Sequence, residues 1–469
     1  MLYFSHNIWV CIARALCIAF AIGCWGKQLN LAFMIDNIIG GVLIMKKSKY
    51  ANVVKQGNKA LIHNTLFGGI IKANCDDSRT FLESVDTAHH FDIDESNDFH
   101  KILKDMRMVV DDGMDESSLV NLHYFERQQV ELNIIPFVTK QCNFRCVYCY
   151  ENHTNDKMQP ETYESLLKCI ENLVDAKGYK VINLSFFGGE PMLEYEAITV
   201  FAQKINELAE RKNIIFNGSM TTNAYLLTFE KLKKLMDLNI RSYQITIDGL
   251  KETHDKARFL INKGGTWDKI IRNLQDAKNS DLRFRITLRT NISDEIMKSA
   301  KEFIEFMAQK FGSDERFSFH CEAVKKLRYI ENDPLEVIDD ESDAVNELSM
   351  YAKSLGLSIA GLTSFTKPFG LVCYAAKNDS FSIDYDGTVM KCTVHIEDEA
   401  NKIGKLSDGN LNIEDHLMAP WTSKDLAEQC RSCAILPMCY GRKCPAINQP
   451  DDYCDGIIQM YQNTLRNLL

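Results

Sequence analysis

The chain lacks the features that mark repetitive, disordered or nucleic-acid-coating proteins. Its 469 residues contain no low-complexity tract and no repeat of fixed period, so neither a solenoid nor a disordered array is indicated. An excess of positive charge is also absent, because 54 Lys and Arg residues against 64 Asp and Glu residues give a net charge of −10. This balance argues against non-specific binding to a phosphate backbone, and no nucleic-acid partner is expected.

The apolar N-terminal segment lacks the Lys or Arg that precedes the apolar core of a signal peptide. Residues 8–25 are interrupted only by Arg14, and residues 29–45 are again mostly apolar. About 20 apolar residues can span a bilayer, so residues 1–45 form a membrane anchor, a poorly packed tail, or an extension upstream of a true start at Met45. The last interpretation is favoured, because the sequence after Met45 is typical of a soluble domain, and a membrane partner is not expected.

Cysteine is the residue type that stands out. Ten of the 16 cysteines fall into spaced groups: Cys142, Cys146, Cys149, Cys373, Cys392, Cys430, Cys433, Cys439, Cys444 and Cys454. Disulfide frameworks are typical of small secreted domains, whereas tight C-x2-C groups in a large chain with α/β patterning indicate metal ligation. Thiolates that bind iron need a reducing compartment, so a cytoplasmic location is expected.

The hydrophobic pattern over residues 131–325 predicts an α/β domain. Six strands are predicted, at 131–139, 179–187, 213–222, 240–247, 282–290 and 315–323, and they alternate with helices. This alternation implies a parallel sheet with right-handed crossovers. Six units are too few to close the eight-fold barrel, so the predicted fold is a partial (β/α)6 barrel with its reactive groups at the C-terminal ends of the strands.

Smaller regions flank the predicted barrel. Residues 46–130 are predicted to form a small N-terminal α+β module, which begins with a hairpin at 49–66 and ends in a polar linker at 113–130. Residues 326–372 are a mostly helical bridge. Residues 373–469 form a cysteine-rich C-terminal extension that closes with a helix.

Three cysteines follow the first barrel strand with the spacing C-x3-C-x2-C: Cys142, Cys146 and Cys149. Three thiolates can hold three irons of a [4Fe–4S] cluster, which leaves the fourth iron open to another ligand, as in open metal sites. The alternatives are a zinc site completed by His153 and cysteines without a ligand. Their position after a strand in a β/α array favours the catalytic cluster.

In this context the three cysteines resemble those of the radical SAM superfamily. The resemblance implies that the open iron binds S-adenosylmethionine, and that one-electron reduction cleaves this cofactor to methionine and a 5′-deoxyadenosyl radical. The cofactor supplies the chemistry while the protein positions and shields it. The resemblance also implies a flavodoxin- or ferredoxin-type electron donor, and it places Tyr148 beside the adenine.

A GGEP segment ends the second barrel strand: Gly188, Gly189, Glu190 and Pro191. The glycines allow close backbone approach, and the resemblance implies that this segment holds the amino group of S-adenosylmethionine. Ser219, Thr221 and Asn223 resemble the family's ribose and carboxylate contacts, although most relatives have glycine where this chain has Ala224. Asp248 and Arg289 end later strands and are predicted to join the cofactor site. A plain turn and ordinary strand-end capping are the alternatives.

The seven C-terminal cysteines, with Gly387 before Cys392, resemble the SPASM domain, which carries two auxiliary [4Fe–4S] clusters. The resemblance assigns one cluster to Cys373, Cys392 and Cys444, and the other to Cys430, Cys433, Cys439 and Cys454. Four residues separate Cys439 from Cys444, where the family usually has three. A zinc ribbon built from Cys430, Cys433, Cys439 and Cys444 is the alternative, but it leaves three cysteines unexplained.

Proteins with this barrel and extension mostly modify peptides, so the chain is predicted to be a peptide maturase resembling the thioether-forming ones, with a short precursor peptide as its partner. Residues 46–112 loosely resemble the leader-binding element of such maturases, which adds the leader to a sheet edge. One alternative is an anaerobic sulfatase maturase, but that family has aspartate where this chain has Thr393. The alternative from another class is a non-catalytic zinc-binding adaptor.

Overall fold

We describe the fold from a computed structural model. The structure describes residues 45–74, 96–325, 341–422, 426–441 and 453–469, together with residues 76, 79, 93, 94 and 444. The predictions for residues 1–44 lie outside this part of the chain, as do those for much of the bridge at 326–340. Within the described ranges, no helix combines the length and the apolar character needed to cross a membrane.

The strands of the described residues are numbered in chain order. They are β1 (Met45–Lys47), β2 (Ala51–Gln56), β3 (Lys59–Asn64), β4 (Ile70–Asn74), β5 (Val109–Asp111), β6 (Glu131–Thr139), β7 (Phe144–Cys146), β8 (Val181–Gly188), β9 (Ile215–Thr222), β10 (Ile240–Thr246), β11 (Arg258–Leu260), β12 (Arg285–Ile292), β13 (Phe317–Ala323), β14 (Ser358–Ile359), β15 (Ser380–Ile383), β16 (Thr388–Met390), β17 (Lys402–Ser407) and β18 (Asn410–Ile413).

The α-helices are numbered in the same way. They are α1 (Asp98–Asp105), α2 (Glu116–Gln128), α3 (Pro160–Lys177), α4 (Tyr195–Lys212), α5 (Phe229–Asp237), α6 (Lys251–Ala257), α7 (Trp267–Lys278), α8 (Asp294–Met297), α9 (Ala300–Phe311), α10 (Glu341–Ser354), α11 (Asp415–Thr422), α12 (Glu428–Arg431), α13 (Leu436–Cys439) and α14 (Tyr453–Arg466). Short 3-10 helices cover Pro191–Glu194, Leu362–Thr366, Tyr374–Ala376 and Glu399–Asn401.

An eleven-stranded sheet dominates the fold, in the order β14-β13-β12-β10-β9-β8-β6-β15-β16-β17-β18. All pairings from β14 to β15 are parallel, and those from β15 to β18 are antiparallel. Strands β6, β8, β9, β10, β12 and β13 are the six that the sequence predicts. The prediction of an α/β fold with a partial, open barrel is therefore confirmed.

The barrel strands form where apolar residues alternate. In β8 the side chains of Ile182, Leu184 and Phe186 are buried, whereas the residues between them are only partly buried. The buried set packs against helices such as α3, which begins at Pro160 in the first turn, where its missing N–H costs nothing. The other face lines the barrel interior, so the parallel strands bring their C-terminal ends to one rim.

The N-terminal module contains two small antiparallel sheets. Strand β1 pairs with β5, and β2, β3 and β4 form the second sheet. The predicted hairpin corresponds to β2 and β3. The polar stretch predicted as a linker at 113–130 is instead largely helix α2: Asp115 caps its first turn by accepting from the N–H groups of Ser117 and Ser118, and Val120 is buried. The sequence did not predict this helix, because the segment is mostly polar and has few buried apolar residues.

The N-terminal module packs against the cysteine-rich extension. The rings of Tyr124 and Tyr440 stack with centroids 3.7 Å apart, in a buried cluster that also contains Tyr50 and Phe369. A second buried cluster joins β2 and β3 to helices α13 and α14. The module is thus part of a continuous core with the C-terminal region, so its removal would expose apolar surface there.

Burial of His63 between β3 and α14 gives the fold a measurable acid sensitivity. Its Nδ1 lies 2.8 Å from the Tyr461 hydroxyl, and burial lowers the pKa of His63 from 6.5 to about 4. The folded state therefore disfavours the imidazolium, so stability is complete above pH 6.5 and falls as the pH drops towards 4. Proton binding by His63 in the unfolded state therefore lowers the free energy of unfolding by about 1 kcal/mol between pH 7 and pH 5.5.

We expect His63→Gln to reduce the pH dependence of the free energy of unfolding by about 1 kcal/mol over this interval. Urea denaturation at pH 7 and pH 5.5 measures it. The matched control is His416→Gln, because the side chain of His416 is 75% exposed. An unchanged pH dependence in His63→Gln would show that other groups cause the acid sensitivity.

Candidate functional site

The first three cysteines lie in the loop after β6, at the rim formed by the strand ends. A two-stranded ribbon holds this loop, because β7 pairs antiparallel with β11 and sets Cys146 opposite Arg258. The N–H of Val147 also donates to the carbonyl of Ala257 at 3.0 Å. Within the loop, the N–H of Phe144 donates to the Cys142 sulfur at 3.4 Å. Backbone hydrogen bonds to the β11 segment therefore hold the cysteine loop in place.

Burial raises the pKa of the Cys142, Cys146 and Cys149 thiols. For Cys149 the pKa rises to about 12, with the charge of Cys146 as the second cause. Glu190 is the second cause at Cys142, so the three cysteines and the GGEP segment lie within electrostatic reach of one another. Since iron binds thiolates, cluster assembly must displace these protons and should depend on pH.

The two glycines of the GGEP segment are required by close packing against the cysteine loop. Gly188 has φ +116°, and a Cβ there would lie 2.3 Å from the Thr139 carbonyl oxygen. A Cβ on Gly189 would lie 2.3 Å from the Gln141 carbonyl oxygen. Any side chain would push the end of β8 away from the loop, so the glycines set the distance between the two motifs.

The Glu190 carboxylate is fully buried and ties together two strand ends. It accepts hydrogen bonds from the Met192 N–H at 2.9 Å, the Thr222 hydroxyl at 2.7 Å and the Asn223 N–H at 2.7 Å. Burial raises its pKa, and these donors oppose the rise. Contact with the amino group of S-adenosylmethionine stays a prediction, because here the carboxylate organises the rim from inside.

Tyr148 is locked by a polar network across the rim. Its hydroxyl donates to Asp248 and accepts from Arg258 at 2.6 Å and from Asn291 at 3.1 Å. The other Asp248 oxygen accepts from the Asn291 N–H at 2.8 Å. Tyr148 and Asp248, both predicted from the sequence, are thus brought together from segments 100 residues apart.

The remaining residues that were predicted to bind the cofactor lie at different depths in the barrel. Asn223 bridges to the cysteine loop, because its side-chain amide donates to Asn143 at 2.8 Å. Arg289 donates to Asn291 at 2.9 Å and so borders the Tyr148 network. Ser219 lies deeper in the barrel, where its hydroxyl is 2.7 Å from that of Ser185. Contacts of Pro191 and Thr221 with the cofactor stay predictions.

Cys373, Cys392 and Cys444 form one group in the C-terminal extension. Burial raises the pKa of Cys373. The charges of two neighbouring thiolates, those of Cys444 and Cys392, raise it further. The Cys392 sulfur accepts from the Val394 N–H at 3.3 Å. These are the three cysteines that the sequence assigns to one auxiliary cluster.

Cys430, Cys433, Cys439 and Cys454 form the other group. Burial raises the pKa of Cys439 to about 11, and the charges of Cys433, Cys430 and Cys454 add to the rise. The grouping follows the SPASM assignment, while the ligands of each cluster stay a prediction.

A single metal ion and a four-iron cluster place different demands on the cysteine groups. No set of three or more His, Cys, Asp or Glu side chains within the described ranges could hold one metal ion. A single zinc needs its ligands within about 2.3 Å of one point, whereas a four-iron cluster takes each thiolate on a separate iron. The ligation of [4Fe–4S] clusters by these thiols stays a prediction.

Comparison with known families decides the assignment of the barrel. Residues 137–307 match the model of the radical SAM superfamily. Residues 137–307 therefore form a radical SAM domain. The matched segment runs from the end of β6 into α9, so it contains the three cysteines, the GGEP segment and the Tyr148 network. A radical SAM domain implies that S-adenosylmethionine and a [4Fe–4S] cluster are the groups bound at this site.

Relatives support the same fold. An uncharacterised protein of Methanocaldococcus jannaschii is 26% identical over 261 residues, which cover 55% of this chain and 84% of that protein. A GTP 3′,8-cyclase of Sulfurimonas denitrificans is 25% identical over 291 residues, 58% of this chain and 84% of that enzyme. The structure of native anSMEcpe with bound AdoMet and Kp18Cys peptide aligns at 18% identity and TM-score 0.55, over 72% of this chain and 98% of that one.

Sequence reasoning missed two residues of this radical SAM site. Arg258 donates to Tyr148, and His254, which would be expected in a solvated loop, is buried on helix α6 and accepts from the Asp248 N–H at 3.1 Å. The only sequence signal was their presence soon after the fourth barrel strand. Their role depends on pairing between distant short segments, which no local pattern predicts.

Proposed function

We propose that this radical SAM enzyme is a peptide maturase that modifies, and most simply cross-links, a short ribosomally made peptide. The observation that carries the proposal is the position of the N-terminal module. It packs on the extension that holds two groups of cysteines, and it presents an edge strand, β2, beside a basic cavity. A site for radical chemistry, a site for auxiliary clusters and a strand edge for a peptide are thereby joined.

When bound, S-adenosylmethionine and its cluster supply a 5′-deoxyadenosyl radical that abstracts hydrogen from the substrate. The chain's own residues would hold and enclose this site. Cys142, Cys146 and Cys149 would bind the cluster, and the β7–β11 ribbon fixes their loop. Hydrogen bonds to the Tyr148 hydroxyl hold the end of its side chain in place.

Hydrogen bonds join the loop of the catalytic cysteines to the loop of the first auxiliary cysteine group. Tyr150, next to Cys149, donates from its hydroxyl to the Thr393 carbonyl at 3.1 Å. The Thr393 N–H donates to the Tyr374 hydroxyl at 2.8 Å, and Thr393 follows Cys392 directly. The loop of the catalytic cysteines therefore touches the loop of the first auxiliary group, where a cluster could accept an electron after hydrogen abstraction.

Other assignments are less well supported. A formylglycine-forming sulfatase maturase would need a base beside Cys392, but Thr393 offers only a hydroxyl, which is already 2.8 Å from Tyr374. A non-catalytic zinc adaptor does not account for the radical SAM domain at residues 137–307. A flavodoxin- or ferredoxin-type donor and a cytoplasmic location remain part of the proposal.

The β2 edge offers backbone groups for an added strand. A two-residue turn, Gly57-Asn58, joins β2 to β3, so Gln56 and Lys59 form a hydrogen-bonded pair. Alternation along the ladder then directs the N–H groups of Val53 and Lys55 away from β3. An extended peptide can pair with these groups, as in other complexes that form by strand addition.

The cavity beside this edge favours an acidic peptide. It has a volume of about 600 Å³, and its lining includes the four cations Lys47, Lys49, Lys55 and Arg466 but no acidic residue. Lys55 is exposed. Since the side chains of an added strand alternate between two faces, carboxylates at every second position of the leader would meet these cations.

We expect Val53→Pro and Lys55→Glu each to raise the dissociation constant of the precursor leader at least tenfold, or about 1.4 kcal/mol. Proline is tolerated at an outward edge position but removes the donor, and glutamate reverses one charge. The measurement is fluorescence anisotropy with the labelled peptide encoded beside the gene. Lys72→Glu is the control, because it makes the same charge change on β4, at the opposite edge of the sheet.

Cleavage of S-adenosylmethionine without peptide should be unchanged in all three variants, since its predicted ligands lie beyond residue 131. Equal leader binding by the wild type and by the two β2 variants would exclude this edge as the peptide site.

A further inference from the structure

Arg258 is a buried cation that the proposed mechanism does not use. Its side chain is 9% exposed and its Nη1 lies 3.9 Å from the Asp248 carboxylate. The same nitrogen donates to the Tyr148 hydroxyl at 2.6 Å. Its Nε is buried and has no hydrogen-bond partner within the described part of the chain. A buried guanidinium that is only partly compensated is costly, which indicates that a further anionic partner is missing.

The backbone of Arg258 is also fixed by hydrogen bonds. It pairs with Cys146 across the β7–β11 ribbon, and its carbonyl accepts from the Thr266 hydroxyl at 2.6 Å. That hydroxyl lies 3.1 Å from Nε2 of His254, whose Nδ1 accepts from the Asp248 N–H. His254 therefore connects the two ends of the Asp248–Arg258 pair, and its Nδ1 acceptor role requires a neutral ring with the proton on Nε2.

Besides Asp248, the anions that Arg258 influences include the thiolates of Cys146 and Cys149. Arg258 is the foremost charged group that opposes the effect of burial on the Cys146 thiol, and it acts in the same direction on Cys149 and Glu190. Three thiolates outweigh the positive charge of an oxidised four-iron core, and one-electron reduction adds a further negative charge. A fixed cation in a buried site stabilises the reduced form more than the oxidised one.

We propose that Arg258 is a positioning residue which, from its place beside Cys146, raises the reduction potential of the cluster held by Cys142, Cys146 and Cys149. Asp248 has the opposite electrostatic effect, because its carboxylate is fully buried and belongs to the same network. The pair sets the potential between the two extremes that either charge alone would give. The inference rests on the proposed ligation of the cluster by these three cysteines.

The test is a redox titration of the anaerobically reconstituted full chain, followed at the electron paramagnetic resonance signal that is absent from the variant in which Cys142, Cys146 and Cys149 are all replaced by Ala. At a fixed potential, Arg258→Gln should lower the ratio of reduced to oxidised cluster at least tenfold, which is about 59 mV for one electron. Asp248→Asn should raise that ratio. Arg258→Lys, which keeps the charge, should stay within about threefold of the wild type on the same scale.

Opposite shifts separate an electrostatic role from a structural one, because loss of packing would move both variants in the same direction. Iron content and circular dichroism confirm that each variant is folded and loaded. If Arg258→Gln fails to fold, the other two variants still test the proposal. An unchanged or lowered ratio of reduced to oxidised cluster in Asp248→Asn would overturn it. A tenfold loss of that ratio in Arg258→Lys would also overturn it. If the triple Cys variant loses no signal, the assignment of the cluster is itself wrong.

Discussion

Cys142→Ala, Cys146→Ala and Cys149→Ala should each reduce the formation of 5′-deoxyadenosine to the level of a reaction without enzyme. A cluster that has lost one of its three protein ligands no longer presents the single open iron to which S-adenosylmethionine binds. The structure places all three thiols in one loop, held by the β7–β11 ribbon. Chromatographic quantification of 5′-deoxyadenosine under anaerobic, dithionite-reduced conditions provides the measurement.

Cys169→Ala is the matched control for these variants. Cys169 is buried on helix α3 in the barrel core, so the substitution tests a small loss of packing without touching the rim. It should cleave S-adenosylmethionine at the wild-type rate. Wild-type production of 5′-deoxyadenosine by any one of the three loop variants would remove the assignment of the catalytic cluster.

The barrel could be predicted from sequence because its signals are local. Each of its six strands is a run of alternating or continuous apolar residues, and the structure places β6 at Glu131–Thr139, the bounds predicted. The cysteine spacing and the GGEP segment are equally local, so their position at the strand ends followed from the fold. Parallel pairing then brought them to one rim without further information.

The polar network around Tyr148 could not be predicted, because it depends on pairing between distant segments. Strands β7 and β11 have three residues each, too few for any periodic pattern. Arg258 and Tyr148 are 110 residues apart. Ala224 shows the reverse case, a local departure that the structure explains: its φ of +57° lies in the left-handed region, where glycine is preferred.

The packing of the N-terminal module changes how its role should be tested. Deleting residues 46–112 would leave Phe369 and Tyr440 without the cover that Tyr50 provides, and Ile435 without that of Leu61. Loss of activity after such a deletion would therefore report damage to the cysteine-rich extension as well as loss of peptide binding. Single substitutions at the β2 edge avoid this ambiguity, because they leave Tyr50 and Leu61 in place.

Iron content should reveal whether the two C-terminal cysteine groups hold separate clusters. We expect about twelve iron atoms per chain after reconstitution, from three four-iron clusters. Cys392→Ala and Cys439→Ala should each lower the count to about eight, and the double variant to about four. The physical reason is the grouping of the thiols: Cys373 is influenced by Cys392 and Cys444, whereas Cys439 is influenced by Cys430, Cys433 and Cys454.

Combined substitutions test the grouping itself. Replacing Cys373, Cys392 and Cys444 together should remove no more iron than Cys392→Ala alone, because all three serve one cluster. A further loss of about four iron atoms would instead place Cys444 with the second group. Cys321→Ala is the control, since Cys321 is buried in β13, and it should retain about twelve. A wild-type count near four, accompanied by about one zinc per chain, would replace both auxiliary clusters with the zinc ribbon.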